Sequence, residues 1–147
     1  MPTLGELIKG KPTLVVNVGE SVLEVVEYMS KNNIGAVPVL DGDNLAGIFS
    51  ERDLMIRCVS KRMDLSTTKI EHVMTKRVVV MEATDSYEDC LQIMKQESIR
   101  HIPVFDEEKQ LIGVVSIRDL MQIDVEEKEQ KIDILHSYIH FNPKGKP

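Results

Sequence analysis

Cysteine is scarce in this chain. Cys58 and Cys90 are the only two; both fall in stretches that read as helix, and neither belongs to a CxxC pair or has a histidine nearby. That argues against a zinc site or a disulfide framework and fits a reducing, cytoplasmic setting. No run approaches the roughly 18 apolar residues of a membrane-spanning helix. The N-terminus also lacks the basic stretch and apolar segment of a secretory signal. Positive charge is in deficit: 18 Lys and Arg face 24 Asp and Glu, a formal net charge of −6. Such a balance disfavours nucleic acid as the main partner, while local basic spots can still hold a phosphate. Catalytic signatures are missing too, with no GxSxG, HExxH, Walker A or GxGxxG sequence. Neither cysteine has neighbours that would obviously lower its pKa. His72, His136 and His140 lack metal-ligand spacing. These absences lead us to expect a soluble, cytosolic, non-enzymatic protein.

What is present is an ordinary globular composition, 42% hydrophobic and 29% charged over 147 residues. The length allows one compact domain or two small ones. Internal repetition decides between architectures. With Pro38 laid over Pro103, Ile34–Asp41 (IGAVPVLD) aligns with Ile99–Asp106 (IRHIPVFD). At the same offset Thr3, Glu6, Lys11, Val15, Ser21 and Met29 meet Thr68, Glu71, Lys76, Val80, Ser86 and Met94. After one extra residue near Gln110, LAGIFSERDLM from Leu45 lies over LIGVVSIRDLM from Leu111. The insertion falls in a polar turn, where a duplication tolerates it.

Each copy carries the same pattern. A β-branched strand comes first, Leu14–Val18 or Val78–Met81. A helix follows, with Val22, Val25, Val26 and Met29, or Tyr87, Cys90, Leu91 and Met94, on one stripe. Ser21 with Glu24, and Ser86 with Asp89, have capping-box spacing at its start. Two hairpin strands come next, Val37–Leu40 with Leu45–Phe49 and Ile102–Phe105 with Leu111–Val115, and a second helix begins at Ser50 or Ser116. The unit is β-α-β-β-α with a short amphipathic lead-in, Leu4–Lys9 or Ile70–Met74. The expected fold is therefore α/β (mixed α+β), with two repeats, residues 3–62 and 69–125, packed on each other. Residues 63–68 form the linker. Residues 126–147 form a charged, helical tail with Ile132, Leu135 and Ile139 on one stripe.

Two readings compete at the repeated turn, GIFSERD from Gly47 and GVVSIRD from Gly113. Ser50 and Asp53, or Ser116 and Asp119, have the spacing of a helix cap. The same geometry exposes free N–H groups and a hydroxyl that suit a phosphate, and an Asp one turn in can accept both hydroxyls of a ribose. Arg52 and Arg118 add charge beside it. Retention of Gly, Ser, Arg and Asp in both copies, while Glu51 and Ile117 differ, exceeds what capping requires and tips the balance to function. Pro38 and Pro103 fit either an edge strand protected from pairing or backbone facing a bound base. Met29, Met55, Met94 and Met121 read as core filler. Ahead of the prolines the copies diverge, Gly35-Ala36 against Arg100-His101, so pockets built from the two are chemically unequal.

The duplicated unit, the IPV strand and the G-h-h-S-x-x-D turn (h for apolar) resemble tandem CBS domains, named for cystathionine β-synthase, whose paired form is called a Bateman module. The resemblance covers roughly residues 3–125 and is closest to stand-alone prokaryotic pairs. It implies two repeats about a pseudo-twofold axis, with clefts for AMP, ADP, ATP, NAD(H) or S-adenosylmethionine, and no required cofactor. It implies that Asp53 and Asp119 hold ribose and that Ser50 and Ser116 lie near ribose or phosphate. It places adenine against Thr13, Val78, Ile34, Ala36, Ile99 and His101. Basic residues ahead of the proline contact phosphates in the similar γ subunit of AMP-activated protein kinase; Arg100 and His101 match them, whereas Gly35 and Ala36 do not. It also implies a flat homodimer and a regulated partner protein. A ligand-free interaction scaffold working through its C-terminal helix is the alternative, and a nucleotide-processing enzyme is a third, weaker one.

Overall fold

The computed structural model describes residues 2–139, with side chains described for residues 2–131. Duplicate sequence becomes duplicate structure. In the first repeat, helix α1 (Leu4–Ile8) precedes strand β1 (Val16–Asn17), helix α2 (Val22–Asn32) and strands β2 (Ala36–Asp41) and β3 (Asn44–Ser50). Helix α3 (Glu51–Asp53) then runs on as a π-helical segment, Leu54–Val59. A 3₁₀ turn, Ile70–His72, opens the second repeat, followed by β4 (Met81–Glu82), α4 (Tyr87–Glu97), β5 (His101–Phe105) and β6 (Leu111–Ser116). Helix α5 (Ile117–Ile139) ends the described chain. It runs unbroken from the second repeat into the tail. The stripe Ile132, Leu135 and Ile139, like His136 and His140, lies outside the described side chains.

The amphipathic stripes bury the faces expected of them. Ser21 accepts from the Glu24 N–H at 3.1 Å and Ser86 from the Asp89 N–H at 3.1 Å. Val22, Val25 and Met29 on α2, and Tyr87, Cys90 and Met94 on α4, are buried. Each sheet has three strands, in the orders β1-β2-β3 and β4-β5-β6, with the first strand parallel and the hairpin antiparallel.

The first strands are shorter than the sequence pattern suggests. β1 pairs only at Val16↔Val39 and Asn17↔Leu40. Residues ahead of it turn toward the other repeat, where the Thr13 hydroxyl donates to the Ile112 carbonyl at 2.9 Å. This shortness explains the prolines. Pro38 and Pro103 sit in the middle strand of their sheets, opposite Ile48 and Val114. The flanking parallel strand reaches only Val39 and Val104, so the missing proline N–H costs no ladder bond.

The lead-ins are exchanged. Leu4 and Ile8 of α1 belong to the core of the second repeat, with Tyr87, Ile102, Val104 and Val115. Ile70, Val73 and Met74 belong to the first, with Val25, Val37, Val39 and Phe49. Backbone bonds fix both crossings: the Leu4 N–H donates to Asp85 O and the Ile70 N–H to Glu20 O, each at 2.9 Å. Reciprocity of this kind is the mark of a pseudo-twofold pair.

Because Leu4 is 0% exposed, Leu4→Ala should cost about 2–5 kcal/mol in urea unfolding. Amide exchange should rise more in β5 and β6 than in β2 and β3. Selective loosening of β2 and β3 would contradict the exchange.

Candidate functional site

A cavity of about 750 Å³ lies between the repeats. The first repeat lines it with Ile34, Gly35, Ala36 and Glu51, and the second with Arg100, His101, Val114, Ser116, Arg118 and Asp119. A smaller chamber of about 240 Å³ adjoins it, walled by Ile8, Lys11, Pro12, Leu14 and Ile112. Ile34, Ala36, Val114 and Asp119 line both. Asp119 thus stands where a mainly apolar chamber opens into one carrying two arginines and a histidine.

Helix geometry positions that carboxylate. The β6 strand ends at Ser116, and Ser116 Oγ accepts from the Asp119 N–H at 3.2 Å, which caps α5. The cap puts Asp119 one turn in, with an exposed side chain. Among the described residues, no protein donor is hydrogen-bonded to its carboxylate; the bond to Ser116 uses its backbone N–H. The helix N-terminus adds a partial positive charge at the same place.

Asp53, at the same place in the first turn, has different surroundings. It is 9% exposed and accepts from Ser50 N–H at 3.0 Å and from the Ser50 hydroxyl at 3.2 Å. The Thr75 hydroxyl donates to it at 3.1 Å, and Arg57 Nε lies 3.7 Å from Oδ1. Ser50, Arg52 and Asp53 line neither chamber. Thr13, Val78 and Ile99 are also outside both linings. Thr13 nonetheless pins the segment carrying Pro12 and Leu14 over the smaller chamber, and Ile99 packs on the second core.

Sequence reasoning missed Glu51 and Lys11 as wall residues. By sequence Glu51 is a divergent position, suited to a control substitution against Asp119, yet it and Ile117 both line the larger cavity. Gly35 makes the room for it, since a Cβ there would lie 2.6 Å from Glu51 Oε1 and 3.4 Å from His101 Nε2. The cavity therefore carries cationic groups from the second repeat and one carboxylate from the first. Among the described residues, no three His, Cys, Asp or Glu side chains converge as a metal site. No described helix is long and apolar enough to cross a membrane.

Burial pushes the His101 imidazole below its ordinary 6.5; Glu51 and Asp119 oppose the shift, and Arg100 adds to it. The folded chain therefore resists a proton that the unfolded chain accepts. Stability from this group is full above about pH 6.5 and is lost as pH falls from there through the depressed value. In urea melts between about pH 7.5 and 5.5, His101→Gln should flatten part of the acid-side decline. An unchanged decline would show that His101 is not held neutral.

A model of the CBS domain matches residues 5–60 and 70–126. The CBS-domain containing protein of Agrobacterium tumefaciens has a similar structure, with a TM-score of 0.76 and 29% identity, covering 83% of this chain and 98% of that one. A CBS domain protein from Pyrobaculum aerophilum, complexed with AMP, superposes with a TM-score of 0.70 and 29% identity over 80% of this chain and 88% of that one. Inosine-5'-monophosphate dehydrogenase of Methanocaldococcus jannaschii is 31% identical over 76% of this chain, which spans only 22% of that enzyme's length. With two matched repeats, two like sheets and a cleft between them, the chain belongs to the CBS domain family as a tandem pair.

Proposed function

We propose that this chain is a non-catalytic regulatory module that binds an adenosine-containing ligand between its repeats and reports occupancy to a partner protein. The observation that carries this reading is the exposed Asp119 carboxylate at the border of the two chambers. The smaller chamber, walled by Ile8, Pro12, Leu14, Ile34 and Ile112, suits a purine. Asp119 can then accept both ribose hydroxyls. Ser116, Arg100, His101 and Arg118 line the larger cavity beyond it, where phosphate oxygens find a hydroxyl, two guanidinium groups and an imidazole. That chemistry favours AMP, ADP, ATP or NAD(H) over S-adenosylmethionine, whose sulfonium would meet like charge. The AMP complex of the Pyrobaculum aerophilum relative supports the same class.

Signalling follows from where the ligand sits. Ile34, Ala36 and Glu51 come from one repeat and Arg100 and Asp119 from the other, so a bound ligand bridges both. Differential affinity for two arrangements of the repeats would shift their populations. Met55 and Val59 beside α3, and Met121 and Val125 on α5, are exposed at corresponding positions, so of the four methionines expected in the core only Met29 and Met94 are buried there. A homodimer through these faces in the cytoplasm belongs to this reading, and the same faces favour the scaffold alternative should ligands fail to bind.

Thermal-shift and calorimetric titration with AMP, ATP, NAD(H) and S-adenosylmethionine test it. A bound ligand should add about 2.7 kcal/mol at a hundredfold excess over its Kd. Asp119→Ala should weaken binding about tenfold or more, given the roughly 1.5–3 kcal/mol of a hydrogen bond to a charged group. Arg52→Ala, at an exposed position outside both chambers, should leave affinity unchanged. Equal losses in both variants would contradict the ribose assignment, and indifference to every nucleotide would favour the scaffold.

A further inference from the structure

Duplication alone would give the chain two symmetry-related ligand clefts, one at Asp119 and one at Asp53. We infer that the chain takes one ligand, at Asp119, because its own residues 73–75 close the cleft at Asp53, and that Thr75 and Arg57 decide this. The inference rests on the reading of Asp119 as a ribose group and goes beyond it by fixing the number of sites.

Thr75 lies along the free edge of β3. Its N–H donates to Ile48 O at 2.8 Å, and its carbonyl accepts from the Ile48 N–H at 2.9 Å. Its hydroxyl meanwhile donates to Asp53. Arg57 fastens the same segment from the π-helical side, donating to Met74 O at 2.7 Å and Val73 O at 3.3 Å while lying beside Asp53. No space remains under the segment. A Cβ on Gly47 would sit 2.6 Å from Met74 Sδ and 2.7 Å from Thr75 O. A ribose reaching Asp53 would have to displace the threonine hydroxyl and break this part-buried set of bonds.

The second repeat lacks each fastening. In the alignment, Thr75 corresponds to Gly10, Met74 to Lys9 and Arg57 to Ile123. Gly10 has no hydroxyl, turns away with φ +82 and has nothing near its missing Cβ. Val114 faces Pro103 as Ile48 faces Pro38, yet among the described residues no backbone crosses to it as Thr75 crosses to Ile48. The smaller chamber opens there instead, between Ile8, Lys11, Leu14 and Gly113. Homologous turns thus end in one occupied aspartate and one available one.

Two measurements on the full chain test this. In the ligand-free protein, amide exchange by NMR should be slow at Ile48 and fast at Val114. Titration with AMP should give one equivalent per chain, and Asp119→Ala should weaken its affinity about tenfold or more. The double variant Thr75→Gly/Arg57→Ile, which copies Gly10 and Ile123 into the first repeat, should take a second equivalent that is lost again on adding Asp53→Ala. Two equivalents on the unaltered chain, or equal exchange at the two amides, would overturn the closed cleft. A double variant that folds and still takes one equivalent would remove Thr75 and Arg57 as the deciding residues. Slow exchange at Ile48 without AMP uptake by any form would leave the closed cleft standing and sink the adenosine reading alone.

Discussion

The exchange of lead-in segments is the contact on which the rest of this structure depends. Each repeat owns a three-stranded sheet whose first strand is only two residues long and cannot complete a core with its own helices. Leu4 and Ile8 fill the second core, and Ile70, Val73 and Met74 fill the first. Burial of these apolar side chains, at about 25 cal/mol per Å², is stabilisation that neither half obtains alone. The pair is therefore one cooperative body. The cavity between the repeats follows from the same crossing, because it brings the pre-proline segment of one repeat against the capped helix start of the other.

The exchange also explains how a duplicated turn came to have two environments. The lead-ins run past the two aspartates, so their few differing residues determine what each aspartate meets. At Asp53 the passing segment supplies a hydroxyl, a β-bridge and an anchor for Arg57. The position equivalent to Thr75 is Gly10, which has no hydroxyl to offer Asp119, and a chamber walled by Ile8, Lys11 and Pro12 opens beside that carboxylate. A few substitutions in an otherwise symmetric pair separate a structural carboxylate from an exposed one. The second repeat then concentrates cationic chemistry around the exposed one, through Arg100, His101 and Arg118.

Much of this was legible in the residues. The repeat, the helix stripes, the hairpin pairing and the serine caps all follow from local periodicity and spacing, and the structure has them. Strand order is set by tertiary pairing, so the sequence left the role of Pro38 open until β1 was seen to stop short of it. An alignment equates the lead-ins and is silent on which sheet each one covers. For the same reason it treats Asp53 and Asp119 as equals, since Thr75 and Gly10 lie far from them along the chain. Glu51 was hidden by its own divergence: unlike Ile117 in kind, it marked a cavity wall rather than a position without a role.

The central claim is that one adenosine-containing molecule bridges the two repeats at Asp119. Native mass spectrometry of the protein purified from its own cells, followed by denaturation and identification of released small molecules, tests it most directly. The account predicts an adenosine compound at one copy per chain, or uptake of one copy when AMP, ATP or NAD(H) is supplied to an empty protein. A chain that carries none and takes up none would contradict it.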